Sequence, residues 1–221
     1  LADGLIRIAK LHGKRVQALI TDMDQPLGRM AGNSLEIIEV TELLNPQTST
    51  KPDSHLYTLC VALATNALIL AENISNTTAA SRVANALQSG AAFDAFKSIV
   101  AAQGGDTHFL DNPQLFPSAP VIKQVTAQRS GFIQRIPART VGDCVVRLGG
   151  GRAIKTDPID HRVGIETHLH VGAPVAAGDV LFTIHAVSDA AANAVDVLLT
   201  NAVEISDVPV VVKPIVIESR S

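Results

Sequence analysis

Residues 16–39 place a strand pattern, a chain break and a helix pattern in immediate succession, and that order limits what the chain can fold into. Val16, Ala18 and Ile20 alternate with Gln17 and Leu19, the two-residue period of a buried strand. Pro26, Leu27 and Gly28 break the run into a turn. Asn33, followed three residues later by Glu36, is a capping-box pattern that opens a helix. Ile37, Val40, Thr41 and Leu44 then recur at i, i+3, i+4 and i+7, which predicts a single stripe facing a core.

The flanking segments extend this pattern. Leu1, Leu5 and Ile8 keep a helical period that Gly13 closes, with no capping residue ahead of Leu1. The chain is therefore expected to begin in mid-element and to be a fragment. Asn45 and Pro46 end the central helix, and residues 46–54 read as a polar connector. Leu59, Cys60, Leu63, Ala67 and Leu70 predict a helix from residue 56. Ala80, Val83, Ala84 and Leu87 predict a second over 78–89, and Phe93, Phe96 and Val100 a third, stopped by Gly104 and Gly105. The first ~105 residues thus read as one strand and five helices. One strand is not a sheet, so its partners must lie ahead of this chain or further along it.

Pro113, Pro117 and Pro120 mark a boundary, after which the pattern changes. Residues 121–126 and 131–136 read as strands around a turn, and Val141, Cys144, Val145 and Leu148 as a helix. Residues 163–170 and 180–185 read as strands. Ser188 caps a helix that packs Ala191, Ala194, Val195 and Leu198, and strands close the chain in 202–206 and 208–218. The expected fold is an α/β remnant, helices around a partial and mostly parallel sheet, over residues 1–112. A small α+β domain with a barrel-sandwich-like strand unit is expected over 113–221.

Composition excludes several function classes. A hydrophobic share of 47% with 18% charged residues predicts a folded chain. A net charge of −3 gives no electrostatic reason for a nucleic-acid or anionic-membrane partner. No apolar run is expected to approach the length of a membrane span, and no signal peptide is visible. Cys60 and Cys144 fall in helical patterns and read as buried thiols of a cytoplasmic protein.

Three local patterns invite chemistry, and each has a plainer reading. Gly149, Gly150, Gly151 and Arg152 could cradle a phosphate with backbone amides. A glycine run that caps a helix is the favoured reading, since a helix C-terminus presents carbonyls. His168 and His170 would share one face of a strand, with His161 nearby, but no third well-spaced ligand completes a zinc site. His185 has no serine or cysteine partner by spacing and is given no catalytic role.

Residues 19–39, LITDMDQPLGRMAGNSLEIIE, resemble the signature LLTDMxQPLGxxxGNxLEVxE of the thymidine and pyrimidine-nucleoside phosphorylases. RLGGGRAIKTDPIDHRVGI and VGAPVAAGDVLFTIHA resemble the C-terminal domain of the same family. The resemblance implies an all-helical lobe joined to a larger α/β lobe, with a small α+β domain at the end. It implies phosphorolysis of a pyrimidine nucleoside, with phosphate as co-substrate, no organic cofactor, and a homodimer in the intact enzyme. The basic and hydroxyl groups that hold phosphate and the departing base come, in the family, from residues preceding Leu1. No catalytic or substrate-binding residue is therefore expected in this chain, which alone should be inactive. The resemblance also implies a monovalent cation, potassium or sodium, held by the Leu27 and Met30 carbonyls and the Glu39 carboxylate. Oxygen ligands suit a hard cation, and Met30 replaces the small residue usual at its position. The plainer reading makes Glu39 a solvated helix carboxylate.

Two rival functions remain at this point. Gly172, Val175, Gly178, Asp179 and Leu181 also resemble biotinyl and lipoyl carrier domains, which would make the C-terminal part a carrier or binding module. Aligned on the glycines, the carrier lysine falls at Ser188, which cannot form the amide. A phosphoribosyltransferase handles similar substrates, but residues 22–28 and the C-terminal pattern argue against it.

Overall fold

The computed structural model describes residues 1–47 and 54–221, so most of the connector expected over 46–54 lies outside the described residues. The chain forms two compact units. One comprises Leu1–Asp22, Glu42–Gly105 and Lys213–Ser221, the other Met23–Thr41 and Asp106–Val212.

In the first unit, helix α1 (Ala2–Leu11) leads to strand β1 (Ala18–Thr21). Only Ile6 of α1 is buried, whereas Leu1, Leu5 and Ile8 of the expected stripe are exposed. Gly13 follows α1 with φ 66°, the left-handed conformation that ends a helix. Helices α3 (His55–Glu72), α4 (Asn76–Gln88) and α5 (Ala91–Ala102) succeed one another, α4 packing on both neighbours. Their starts are chemically fixed: Ser54 Oγ accepts from Tyr57 N at 3.0 Å and Ser75 Oγ from Thr78 N at 3.1 Å. Helix α3 is 18 residues long with a mean hydropathy of 1.4, so a helix of membrane-spanning length and apolarity is present, contrary to expectation. Polar Thr58, Thr65 and Asn66 interrupt it, which hides the length in the sequence. Core helices share these dimensions, so they carry no membrane assignment. Cys60 on α3 is exposed, which corrects the expectation of two buried thiols; Cys144 is buried, and both are free.

Strand β1 finds its partner within this chain. Ala18, Leu19 and Ile20 pair antiparallel with Arg220, Ser219 and Glu218 of β9 (Val216–Arg220), the register shifting before Thr21. The expectation of a mostly parallel sheet is therefore corrected, because every strand pairing among the described residues is antiparallel. The physical reason is that no βαβ crossover leads from β1 to a parallel partner among the described residues. Its partner arrives from the far end and runs the other way.

The second unit holds two antiparallel sheets and two covering helices. Strands β2 (Met30–Ala31), β5 (Gly164–Thr167), β7 (Val180–Ala186) and β3 (Val121–Thr126) form one sheet in that order. Strands β6 (Pro174–Val175), β4 (Gly131–Arg135) and β8 (Glu204–Ser206) form the other. Neighbours in sequence, β3 and β4 lie in different sheets, so the turn between them does not make a hairpin. Central β7 is buried at every position from Leu181 to Ile184, which explains its nearly unbroken apolar run. Helices α7 (Ala138–Leu148) and α8 (Asp189–Ala202) close the core with Val141, Cys144 and Leu148, and with Ala192, Val195 and Leu199. Ser188 caps α8, its Oγ accepting from Ala191 N at 3.2 Å. Val195 of the expected stripe is buried, Ala191 and Leu198 pack half-buried against the same core, and Ala194 is exposed, while the most buried line, Ala192, Val195 and Leu199, runs beside them. Short α6 (His108–Asp111) and a 3₁₀ turn (Pro113–Leu115) precede β3.

Core truncation should register strongly here. Phe182, with no exposed surface, should lose about 3–5 kcal/mol of unfolding free energy on conversion to Ala. Ile122→Ala, at a side chain 54% exposed on edge strand β3, should change it by no more than about 0.5 kcal/mol. Denaturant titration of the two variants checks both values.

A candidate cation turn

Residues 22–32 carry the chain from β1 through a double bend into β2, and α2 (Asn33–Leu44) follows at once. One side chain and two backbone carbonyls tie this turn to the rest of the second unit. Gln25, only 6% exposed, accepts from Val171 N through Oε1 at 3.0 Å, and Asp24 O accepts from Ala138 N at 3.4 Å. Arg29 O accepts from Thr167 N at 2.7 Å, extending the β2–β5 ladder by one residue.

The start of α2 differs from the capping-box expectation. Glu36 does reach back, its Oε1 accepting from Gly32 N at 3.1 Å. Asn33, however, is already helical and donates Nδ2 to Gly150 O at 2.9 Å, while Ser34 N donates to His161 O at 3.1 Å. Gly32 takes the capping place with φ 140°, and a Cβ there would lie 2.5 Å from Val163 O. The buried residues of α2 are Leu35, Glu39 and Thr41; Ile37 of the expected stripe is exposed.

Glu39 is therefore not a solvated helix carboxylate. It is 8% exposed and turned back over the bend. Its Oε1 accepts from Arg29 N at 2.7 Å and its Oε2 from Met30 N at 3.1 Å. Gly28 leaves room for this carboxylate, because a Cβ there would meet it unless the Glu39 side chain shifted. Ladder geometry orients Met30 as well. Since Arg29 O bonds β5, alternation along the strand turns both N–H and C=O of Met30 away from β5, to the side where Glu39 stands.

Met30 and Glu39 are thus brought together, and Leu27 lies in the same bend, immediately before Gly28. The donor chemistry fits a hard cation: a buried carboxylate with about four lone-pair positions uses two on amides and keeps the others. No group of three His, Cys, Asp or Glu side chains suited to a metal occurs among the described residues.

The other sequence patterns resolve into structural roles. Gly149, in the left-handed conformation, caps α7, with Gly149 N and Gly150 N donating to Val146 O and Val145 O at 3.0 and 2.9 Å. Asp157 Oδ2 accepts from Ala153 N and Ile154 N at 3.1 and 2.9 Å, and Arg152 Nε donates to Asp157 O at 3.2 Å. The Gly149 and Gly150 amides of the phosphate-cradle reading are thereby engaged in capping the helix. His168 Nε2 meets Thr183 Oγ1 at 2.8 Å and Glu166 Oε2 at 3.9 Å. His185 Nε2 is buried with no hydrogen-bond partner, and burial pushes its pKa below the ordinary 6.5, with the Glu166 charge pulling the other way.

Periodicity could not reveal Arg29 and Glu166. Arg29 Nη1 donates to Glu166 Oε1 at 3.1 Å across a sequence separation of 137 residues. The only signal would have been the register that sets Met30 opposite Glu166, and two-residue β2 is too short to read.

Two measurements test this geometry. Glu39→Ala leaves two buried amides unpaired and should cost about 2–4 kcal/mol in denaturant titration, with Glu39→Gln costing less because one acceptor oxygen survives. His185, neutral in the folded state, favours the unfolded chain once protonation begins there. Stability should therefore decline as pH falls from about 6.5 toward the lowered folded value, and His185→Gln should flatten that decline relative to the parent.

Residues 132–206 match the family model described as the pyrimidine nucleoside phosphorylase C-terminal domain. The pyrimidine-nucleoside phosphorylase of Staphylococcus haemolyticus is 36% identical over 186 residues, covering 84% of this chain and 42% of the relative. The thymidine phosphorylase of Colwellia psychrerythraea is 34% identical over 210 residues, 94% of this chain and 47% of the relative. The pyrimidine-nucleoside phosphorylase of Geobacillus stearothermophilus is 36% identical over 186 residues, 84% and 42%. The chain spans about half the length of the curated relatives it matches. With the signature turn folded around Glu39 and these matches running along most of the sequence, the chain belongs to the family of the pyrimidine-nucleoside and thymidine phosphorylases.

Proposed function

We propose that this chain forms the C-terminal part of a pyrimidine-nucleoside phosphorylase, a pentosyltransferase that converts thymidine and phosphate to thymine and 2-deoxyribose 1-phosphate. In that reaction a phosphate oxygen bonds to the anomeric carbon as the glycosidic C–N bond breaks, and the bonding pair leaves with the base, which takes up a proton. The observation that carries the reading is the 34–36% identity to relatives of that name over 84–94% of this chain. Residues 1–112 are read as the end of the α/β domain and 113–221 as the terminal α+β domain, in a homodimeric cytoplasmic enzyme. No cofactor beyond the monovalent cation is invoked.

Within that reading the chain is a scaffold. The groups that bind phosphate and stabilise the departing base by preorganised charge lie, by the family resemblance, ahead of Leu1. Leu27, Met30 and Glu39 hold potassium or sodium, which fixes the bend between β1 and α2. A carrier role is disfavoured because Ser188, at the place of the carrier lysine, is committed to capping α8.

The assay is thymine release from thymidine with phosphate. An enzyme of the relatives' length that includes this chain should release thymine, and the purified 221-residue chain should release none above background. Release by the chain alone would place the catalytic groups within it and overturn the reading.

A further inference from the structure

Helix α1 and strand β9 border a cavity of about 390 Å³, lined by Asp3, Ile6, Arg7, Lys10, Leu11 and Arg220. Its walls are held together by charge. Arg220 Nη1 donates to Asp3 Oδ2 at 2.7 Å, which ties β9 to α1. The other edge of the same guanidinium is taken by Glu218, with Nε to Oε1 and Nη2 to Oε2 both at 2.8 Å. Arg220 and Asp3 therefore neutralise one another across the cavity. Ile6, 7% exposed, supplies an apolar floor, and Leu11 continues it.

What remains in the lining is an excess of positive charge, from Arg7 and Lys10. Between Gly4 and Thr21 every formally charged residue is basic: Arg7, Lys10, Lys14 and Arg15, all exposed. Among the described residues none of these four side chains is in an ion pair or hydrogen bond. The whole chain carries a net charge of −3, so this is a local patch and not a property of the surface at large. A plainer role covers part of it. Cations near a helix C-terminus complement the free carbonyls, and Lys10, Lys14 and Arg15 stand in or after the last turn of α1. Arg7, a turn further in and facing the cavity, is not explained that way.

We propose that the cavity between α1 and β9 binds a nucleotide, with its phosphates on Arg7 and Lys10 and its base against Ile6 and Leu11. The volume lies within the range of small-molecule sites and exceeds what a lone phosphate ion fills. Guanidinium and ammonium groups are the usual partners of phosphate oxygens, and an arginine face also stacks on an aromatic base. The apolar floor is what favours a nucleotide over an inorganic polyanion. The proposal does not depend on the cation turn.

The test is titration calorimetry of the intact enzyme with ATP, inorganic tripolyphosphate and adenosine in separate runs. ATP is the probe because its purine base sets it apart from the nucleoside of the proposed reaction. ATP should bind saturably, tripolyphosphate about tenfold more weakly for want of the base, and adenosine not measurably. Arg7→Gln combined with Lys10→Gln should raise the Kd for ATP about tenfold, the scale of two exposed charge pairs. Arg7→Lys combined with Lys10→Arg keeps both charges and should stay within about threefold of the parent, as should Arg139→Gln, an exposed cation outside the cavity. No binding of ATP, binding that the paired Gln substitutions leave unchanged, or tripolyphosphate binding as tightly as ATP each overturns the proposal. Calorimetry reads no turnover, so a negative thymine-release assay of the parent would overturn the reaction reading and leave this one standing.

Discussion

The Glu39 carboxylate is the interaction on which the rest of the turn depends. Burying a carboxylate costs several kcal/mol unless its oxygens are hydrogen-bonded. Here both are, by consecutive amides of Arg29 and Met30 that come from the bend and the first residue of β2. That pair of bonds joins the second turn of α2 to the bend ahead of it. Gly28 leaves the space the carboxylate fills, and Gly32 lets the chain pass close to Val163 before the helix begins. Glu39 thereby accounts for the space at Gly28, and the close backbone approach to Val163 accounts for Gly32.

From this point the constraint spreads through backbone bonds. With Met30 N given to Glu39, the β2 strand presents Arg29 O and Ala31 to β5. Strand β5 lies against β7, whose Leu181–Ile184 run is buried at every position. Packing at Phe182 and Ile184 therefore supports the sheet edge on which the turn is built. Segment Met23–Thr41 belongs to the same compact unit as residues that follow Asp106, although a long helical stretch separates them in sequence. Arg29 extends the same logic to charge, its guanidinium donating to Glu166 on the neighbouring strand.

Local signals in the sequence carried much of this fold. Ser188 caps the helix its position announces, Ser54 and Ser75 cap α3 and α4 slightly ahead of the starts expected at 56 and 78, and Gly13, Gly104 and Gly149 end helices or loops in left-handed conformations. Pairing was not legible, because periodicity identifies a strand without naming its neighbour: β1 pairs with β9 from the other end of the chain. Phase was legible only in part where alanine dominates: α8 buries Ala192 and Leu199 fully, Ala191 and Leu198 pack half-buried beside them, and Ala194 is exposed. At the site, the family resemblance pointed to Glu39, and geometry alone explains its orientation. Arg29 and Glu166 meet only through a two-residue strand, for which no local pattern exists.

The central claim is that Leu27, Met30 and Glu39 form a monovalent cation site, and anomalous diffraction tests it most directly. Crystals of the intact enzyme grown with thallous ion in place of potassium should show an anomalous peak bounded by the Leu27 and Met30 carbonyl oxygens and the Glu39 carboxylate. The peak should diminish when potassium is added back. No peak at the bend, or a Glu39 carboxylate turned to bulk solvent in those crystals, would contradict the account.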